Sequence, residues 1–500
     1  MGGVPGRSKG CKTCRRRKVK CGAMVPCEGY NPYPEFVNLS ITSKYQKARP
    51  QKAVQHLYRS QPASTNLGIS ESSVTAFPFL SLEKPPAWDE QSVFTSHLMN
   101  RLFTWHEDPS SPYSVSWVSV LLEPVEEDRM LSSTSIRALA TLYFGKIHHE
   151  TQLVHKGVRF YSQALQALRS QLQHRDLMLE DDVLVAILVM GVYELVAFTQ
   201  PAGWLQHYKG LARLTAMRGP ERHQSGIGFA VYPTLRSCIA IGCIVDRKRC
   251  FLESREWKTV PWAQRGIHTK TALDRLYDIL CDIPGIIEDT DKLMKWDADA
   301  SGYEDFRVSY CSRALAVLQA LFSWRWDWEK QFPNASYAIP SDAVDQELNL
   351  PLPPTPFETI LWFQDAFRAT ELSIYNAQRL IITRSLEMAG VPVNLSSSET
   401  SPSDPLLPIQ GTRHDVAVEI CRMAQYQLHS LRRSSGAFAL IFPLNVAYLH
   451  LGDYDSNVYK PWLDAVMSLV ADSHGFEIGR TGNMPRQAIR TSPILKVALV

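Results

Sequence analysis

Three cysteines near the start of the chain bracket a block of cations. Cys11, Cys14 and Cys21 have the spacing Cys-x2-Cys-x6-Cys. Two thiolates separated by two residues can reach one metal ion from a tight turn, and nearly two further helical turns return a third thiolate to the same centre. The cations between these cysteines are Lys12, Arg15, Arg16, Arg17, Lys18 and Lys20. A metal-fixed helix that presents cations is typical of a surface that faces phosphate.

This stretch resembles the start of the fungal zinc binuclear cluster (Zn2Cys6) DNA-binding domain. In that family a set of cysteine thiolates binds paired zinc ions, and a short helix enters the major groove. The resemblance implies Zn2+ as the cofactor, DNA with CGG-type sites as a partner, and the nucleus as the location. By the same resemblance, Lys18 would read a CGG-type triplet, while Arg15, Arg17 and Lys20 would contact the DNA backbone or base edges.

The sequence after Cys21 departs from the family pattern. Cys27 follows, and the next cysteine is Cys238. The residues Cys27-Glu28-Gly29-Tyr30 are similar to the end of the family motif. This similarity makes Cys27 the last ligand and implies that a segment with two further ligands is lost. Alternatively, Cys27 is the fourth ligand and the second half of the motif has decayed. In either case the cluster is incomplete, and Cys11, Cys14, Cys21 and Cys27 can still form one tetrahedral site.

Positive charge is local to the N-terminus. Residues 1–30 contain eight Lys/Arg against Glu28 alone, a net +7, so that the remaining 470 residues carry −4 of the total +3. This segment is therefore the nucleic-acid-binding candidate, and the cation block is also typical of a nuclear import signal. We assign residues 1–30 to an incomplete zinc module.

The rest of the chain divides into a linker and an all-α domain. Residues 31–90 contain scattered prolines, weak periodicity and no sustained heptad, which predicts a disordered linker without a coiled coil. Apolar residues at helical spacing from about residue 91 to the C-terminus predict a large helical domain. The helices predicted are Ser92–Trp105, Ile136–Leu172, Val183–Phe198, Tyr232–Val245, Lys270–Ile286, Tyr303–Glu329, Pro356–Leu386, Arg413–Leu431 and Phe438–Leu451. Of these, Val183–Phe198 is apolar nearly all round and should be central, with Asp181 or Asp182 as its cap.

Several phrases in this region resemble the fungal-specific transcription factor domain that accompanies the zinc cluster. They include Tyr193-Glu194, Trp204-x2-His207-x2-Gly210, Arg218-Gly219-Pro220, Glu256-Trp257-Lys258 and Phe442-Pro443-Leu444. The resemblance implies a regulatory domain that binds co-regulator proteins, and a family whose members commonly form homodimers.

The residues in these phrases also have a structural interpretation. Trp204, Leu214, Trp257 and Trp262 are typical core residues at helix ends, and His207 is expected to be a hydrogen-bonded core histidine. Arg218-Gly219-Pro220 predicts a helix end, with a cation in the last turn, Gly in the left-handed cap and Pro beyond it.

Other signals favour packing over chemistry. The later cysteines are expected to be reduced core or surface thiols. The spacing of a helical metal site is lacking in His148, His149, Glu150 and His155. We expect a packing role at a domain seam for Trp324, Trp326 and Trp328, and the alternative is an aromatic ligand box. The longest apolar run, Val183–Tyr193, is 11 residues, too short to span a bilayer, so no membrane association is expected.

These features predict a zinc-dependent, sequence-specific DNA-binding transcriptional regulator of RNA polymerase II genes, and not an enzyme. The sequence contains no phosphate-binding Gly loop, Gly-x-Ser-x-Gly elbow or paired-carboxylate motif. The alternative is a helical interaction protein that has lost DNA binding along with two cysteine ligands. A third and weaker alternative is an α-helical enzyme that uses the histidines at 148–155.

Overall fold

Helices account for most of the structure. The computed structural model describes residues 89–102, 130–342, 352, 354–391, 412–429, 432–454 and 458–480, all within one compact unit that spans residues 82–500. The cysteines and cations of residues 11–27 and the linker before residue 89 lie outside the described residues. The α-helices of these ranges are α1 (Glu90–Leu102), α2 (Met130–Ile147), α3 (Thr151–Gln171), α4 (Asp181–Ala197), α5 (Gly203–Arg218), α6 (Gly226–Asp246), α7 (Arg255–Thr259), α8 (Ala272–Leu280), α9 (Ile283–Lys295), α10 (Tyr303–Gln331), α11 (Ala366–Met388), α12 (Arg413–Arg422), α13 (Ala424–Gln427), α14 (Arg433–Tyr454) and α15 (Tyr459–Asp472).

The part of the chain that the structure describes contains one small sheet. Strands β1 (Ser336–Pro340) and β2 (Thr359–Phe363) pair antiparallel, with Ser336 opposite Phe363 and Pro340 opposite Thr359. The prediction of an all-α fold is confirmed, since these two short strands are a minor addition to a helical protein.

The prediction of one helix over Pro356–Leu386 is wrong in its first part. Residues 359–363 read Thr-Ile-Leu-Trp-Phe, a β-branched and aromatic run that forms β2. The helix α11 begins only after Asp365, whose carboxylate accepts a hydrogen bond from the backbone N–H of Phe367 at 2.7 Å. A strand in this position could not be recognised locally because its partner β1 lies about 20 residues earlier.

Three other predicted helices are each divided in two. In Arg413–Leu431 the break is the single residue Met423, between α12 and α13, and in the other two helices the break is longer. Ile136–Leu172 is interrupted at residues 148–150, where His149 adopts a positive φ of 57° that ends α2. Lys270–Ile286 is interrupted at Cys281 and Asp282, and α8 starts from a capping box formed by Thr271 and Asp274. Helical periodicity continues across both breaks because each pair of helices buries its apolar face in the same core.

The predicted central helix is confirmed. Every residue of α4 from Val183 to Val196 is buried, and α4 packs against α2, α3, α5 and α6. The predicted cap is wrong, because Glu180 holds the cap position without a side-chain hydrogen bond. Asp182 instead accepts hydrogen bonds from the backbone N–H groups of Leu131 and Ser132, at 3.1 and 3.0 Å, and so caps the neighbouring helix α2.

Two helices, α6 and residues 433–451 of α14, are long and apolar enough by composition to cross a membrane. Helices buried inside a protein core share that composition. In this fold, 56% of the α6 segment and 78% of the α14 segment are buried within the protein.

Candidate functional site

The described residues place a buried hydrogen-bonded cluster where α3, α4 and α5 meet. Glu194, in the last turn of α4, is 2% exposed. Its carboxylate accepts hydrogen bonds from the Tyr161 hydroxyl at 2.7 Å and from the Thr199 backbone N–H at 3.1 Å. The Thr199 hydroxyl donates to the same carboxylate at 2.7 Å. We call Tyr161, Glu194, Thr199 and His207 the Glu194 cluster.

Local chain geometry brings Thr199 back to Glu194. Phe198 follows α4 in the left-handed conformation, with φ 50° and ψ 53°, and its N–H donates to the Glu194 carbonyl at 2.9 Å. Gly203 starts α5 directly over the carboxylate, because a Cβ on Gly203 would lie 2.5 Å from Glu194 Oε2. The close approach requires a residue without a side chain.

His207 completes the hydrogen bonding of this cluster. Its Nε2 lies 2.7 Å from the Tyr161 hydroxyl oxygen. Since Tyr161 donates its own proton to Glu194, the oxygen accepts from His207, which requires the tautomer with a proton on Nε2. Burial lowers the pKa of His207 to about 4 and raises the pKa of Glu194 above its ordinary value. The prediction that His207 is hydrogen-bonded is confirmed, whereas the residue is half-buried at the edge of the core and not fully inside it.

A second polar cluster joins α6 to the segment that follows it. Arg236 is 1% exposed and donates to Asp274 Oδ1 and to Asp278 Oδ1, each at 2.7 Å. Lys270 donates to the other oxygen of Asp278 and to the Lys258 carbonyl. The two carboxylates raise the pKa of the Arg236 guanidinium although burial opposes its charge. We call Arg236, Lys270, Asp274 and Asp278 the Arg236 cluster.

Trp262 is the apolar partner of both cations in this cluster. Its ring centroid lies 4.6 Å from the Arg236 guanidinium carbon and 4.3 Å from the Lys270 amine. Trp204, Leu214 and Trp257 are also buried, so the prediction that these four residues are core residues is confirmed.

The helix end predicted at Arg218-Gly219-Pro220 is confirmed, with one difference. The helix α5 ends at Arg218, and Gly219 has a positive φ of 77°, but its ψ of 160° lies outside the left-handed helical region. The Arg218 guanidinium donates hydrogen bonds to the Leu179 carbonyl and to the Asp181 carboxylate, and these bonds connect the end of α5 to the start of α4.

Residues 148–155 do not form a metal site. His148, His149, Glu150 and His155 are exposed, as expected, and the His148 ring packs against His97 and Phe144. Across the described ranges there is no group of three or more His, Cys, Asp or Glu that could hold a metal ion. The six later cysteines are free thiols, as expected, and they are buried or half-buried.

The three tryptophans of α10 have different roles. Trp324 donates its indole N–H to the Ala272 carbonyl at 2.8 Å, and Trp328 donates to Glu371 Oε2 at 2.7 Å. Trp326 is 41% exposed. The expectation of a domain seam is wrong, since both buried indoles pack inside the one compact unit.

Most residues of both clusters could not be recognised as cluster members from the sequence. Thr199 lies in a short segment with no periodic signal. Lys270, Asp274 and Asp278 counted only as polar positions of the predicted helix Lys270–Ile286, and Tyr161 counted only as an apolar helix position. A signal did exist, because Glu194 is the one charged residue of α4 after its first turn, and Arg236 is the one charged residue of α6 before its last residue. A charge in such a helix must find a buried partner. The clusters hold helices in register, and they offer neither an open reactive group nor a ligand set for a metal.

Comparison with known proteins finds one matching domain family and one relative. Residues 92–248 match the fungal specific transcription factor domain. An uncharacterized protein of Emericella nidulans is 24% identical over 212 residues, which cover 41% of this chain and 45% of that protein. The chain thus aligns with less than half the length of this relative. No solved structure matches.

The match covers α1 to α6 and includes the whole Glu194 cluster, together with Arg236. It indicates that this part of the chain is a domain of the kind found in fungal transcription factors. The expected fungal-specific transcription factor domain is therefore found, although the match ends well before the predicted C-terminal boundary at residue 500.

Proposed function

We propose that this protein is a zinc-dependent, sequence-specific DNA-binding regulator of RNA polymerase II genes. The observation that carries the proposal is the presence in one chain of two separate features. The first is the Cys-x2-Cys-x6-Cys stretch with its interleaved cations, and the second is the segment that matches a fungal specific transcription factor domain.

The chemistry of the N-terminal residues supports zinc and DNA. Cys11, Cys14, Cys21 and Cys27 supply four thiolates, the donor set that structural zinc prefers. Lys12, Arg15, Arg16, Arg17 and Lys20 would neutralise phosphates, and Lys18 would reach guanine edges in a CGG-type site.

The helical domain would be the regulatory part. Its buried polar groups include the Glu194 and Arg236 clusters, which fix the relative positions of helices from α3 to α8. A scaffold of this kind suits the binding of co-regulator proteins, with DNA contacts left to the N-terminus in the nucleus.

A second candidate function follows from the cysteine count. Cys27 is the last cysteine before Cys238, so the complete two-zinc ligand set is lacking. A chain that has lost sequence-specific binding would act as a helical interaction protein that competes for the partners of a related regulator.

The full-length protein tests these alternatives. We expect zinc to copurify with it, and we expect Cys14→Ser to lower the zinc content. Affinity for a CGG-containing duplex should fall steeply with salt. Lys18→Ala should reduce that affinity by roughly tenfold, in line with a loss of about 1–3 kcal/mol per base contact.

Lys9→Ala is the matched control, since it removes one cation outside the cysteine bracket and should change only nonspecific binding. Equal affinity for CGG and scrambled duplexes, with no zinc bound, would contradict the first proposal and support the interaction protein.

A further inference from the structure

Two thiols meet where the chain leaves α6. Cys243 lies in the last turn of that helix, and Cys250 lies in the segment that follows it. Between them, Arg247 takes the left-handed conformation, with φ 54° and ψ 43°, and the Lys248 N–H donates to the Cys243 carbonyl at 3.0 Å. This turn reverses the chain, so that the Cys250 thiol donates a hydrogen bond to the Cys243 sulfur.

The two thiols differ in exposure and in acidity. Cys243 is half-buried, whereas Cys250 is fully buried. The hydrogen bond from Cys250 lowers the pKa of the Cys243 thiol although burial opposes this; the Lys209 cation adds to the lowering and its ion-pair partner Asp246 opposes it. The same hydrogen bond, together with burial, raises the pKa of Cys250. Cys243 is therefore the thiol of the pair that ionises first and that a solute can reach.

An ionised, reachable thiol beside a second thiol is the arrangement that reacts selectively with peroxide. We propose that Cys243 and Cys250 form a reversible disulfide when the protein is exposed to hydrogen peroxide, with Cys243 as the attacking thiol and Cys250 as the resolving thiol. In a reducing compartment such a disulfide is transient rather than structural. The pair includes no residue of the N-terminal module, so this inference is independent of zinc and DNA binding.

The reaction consumes one peroxide molecule. The Cys243 thiolate attacks one peroxide oxygen, the O–O bond breaks, and the leaving hydroxide takes up the proton that Cys243 had released, which leaves a sulfenic acid on Cys243. The Cys250 sulfur then attacks the Cys243 sulfur, the S–O bond breaks, and the Cys250 proton leaves with the hydroxide as a second water. Two thiols have lost two electrons and two protons, and a dithiol reductant reverses the change by exchange.

The disulfide fixes the turn that connects α6 to α9. Arg247 donates to Asp291 Oδ2 at 2.6 Å, and the Arg249 backbone N–H donates to Glu288 Oε2 at 2.6 Å. Both carboxylates belong to α9. A bond between the two thiols closes a loop that contains both arginines, so oxidation holds the contact between the end of α6 and α9 in place.

Peptide mapping of the full-length protein tests the disulfide. The protein is treated with hydrogen peroxide, free thiols are blocked with N-ethylmaleimide, and the product is digested with trypsin without reduction. The two cysteines then fall in separate peptides, 237–247 and 250–255, and the N-terminal cysteines fall in other peptides. We expect these two peptides to be joined, with fragment ions that place the link on Cys243 rather than on Cys238, and to separate after treatment with dithiothreitol.

Substitutions assign the order of the two steps. Cys250→Ser removes the resolving thiol and should leave a sulfenic acid on Cys243 that dimedone traps, whereas Cys243→Ser should leave Cys250 unmodified. Cys311→Ser is the control, because Cys311 is also half-buried but lies on α10, and it should leave the joined peptides unchanged. A lack of joined peptides in the peroxide-treated unmodified protein, a link through Cys238, or dimedone on Cys250 of the Cys243→Ser variant would overturn the proposal.

Discussion

Single residues in the Glu194 cluster or next to it are expected to contribute strongly to the stability of the fold. Gly203 matters because of what it lacks, since any Cβ would meet the Glu194 carboxylate. Tyr161 matters because its one hydroxyl serves both Glu194 and His207. Each of these residues therefore has a substitution with a large expected effect.

We expect Gly203→Ala to lower the free energy of unfolding by about 1–3 kcal/mol, because it forces the buried carboxylate away from its donors. Gly210 lies in the same helix, and a Cβ added there would meet open space. Gly210→Ala should instead raise stability by about 0.5–1 kcal/mol, as Ala is the better helix former. Urea unfolding of both variants measures the difference, and similar values for the two would contradict the packing described.

Tyr161→Phe should cost about 1–3 kcal/mol, since it leaves the Glu194 carboxylate short of one donor in a buried site. Ser162→Ala is the matched control on the same helix, because the exposed Ser162 hydroxyl bonds only to the Val158 carbonyl of its own turn. Its unfolding midpoint should be nearly unchanged. A Tyr161→Phe protein as stable as the control would show that the cluster contributes little.

At the scale of elements, the sequence predicts helices well and their ends less well. The core position of α4 could be predicted because its apolar character is continuous, and the end of α5 could be predicted from Arg218-Gly219-Pro220. The break at His149 could not be predicted, because a positive φ at a histidine has no local sequence signal. Strand β2 could not be assigned either, since its identity depends on pairing with a strand far away in the chain.

The residues of the two clusters also differ in how far they could be predicted from the sequence. His207 could be recognised as a hydrogen-bonded histidine, whereas the identity of its partner Tyr161 depends on how α3 packs against α5. The same is true of Arg236, whose carboxylates come from a helix that starts 36 residues later.

Among the contacts between helices, the loss of the Arg236 cluster should lower the free energy of unfolding the most. Arg236→Met leaves Asp274 without its buried ion-pair partner and Asp278 with Lys270 alone, and it should destabilise the protein by about 3–5 kcal/mol. Lys209 and Asp246 form an ion pair at 2.6 Å that is more than one-third exposed on both sides, so Lys209→Met should cost at most about 1 kcal/mol. Thermal unfolding compares the two variants, and equal shifts in Tm would argue against a structural role for the buried pair.

At the scale of the whole molecule, buried histidines should make stability depend on pH. Burial lowers the pKa of His207, His223 and His474 to about 4. The unfolded state then binds protons more tightly than the folded state between these values and about 6.5, so that stability is full above about pH 6.5 and falls as pH drops towards 4. Glu194, with its raised pKa, contributes in the opposite direction, since its share of the stability is lost as pH rises.

Urea unfolding at about pH 7 and about pH 5 measures this dependence, and we expect a clearly lower free energy at the acid value. His207→Gln should make the decrease smaller, because it removes one buried group that protonates on unfolding. His155→Gln, at an exposed position, should leave the decrease unchanged. Stability that does not vary between the two pH values would contradict the burial of these rings.

The Arg236 cluster shows that the end of the family match and the end of the folded unit are different positions in the chain. The match to the fungal specific transcription factor domain ends at residue 248, whereas the carboxylates that neutralise Arg236 belong to residues 274 and 278. A fragment cut where the similarity ends would retain an arginine in an apolar helix with nothing to offset its charge, and it would expose the faces of α6 that α8 and α9 cover. The segment that matches the family is therefore smaller than the unit that folds, and a shortened product of this gene ending near residue 248 would be a target for degradation rather than a working domain.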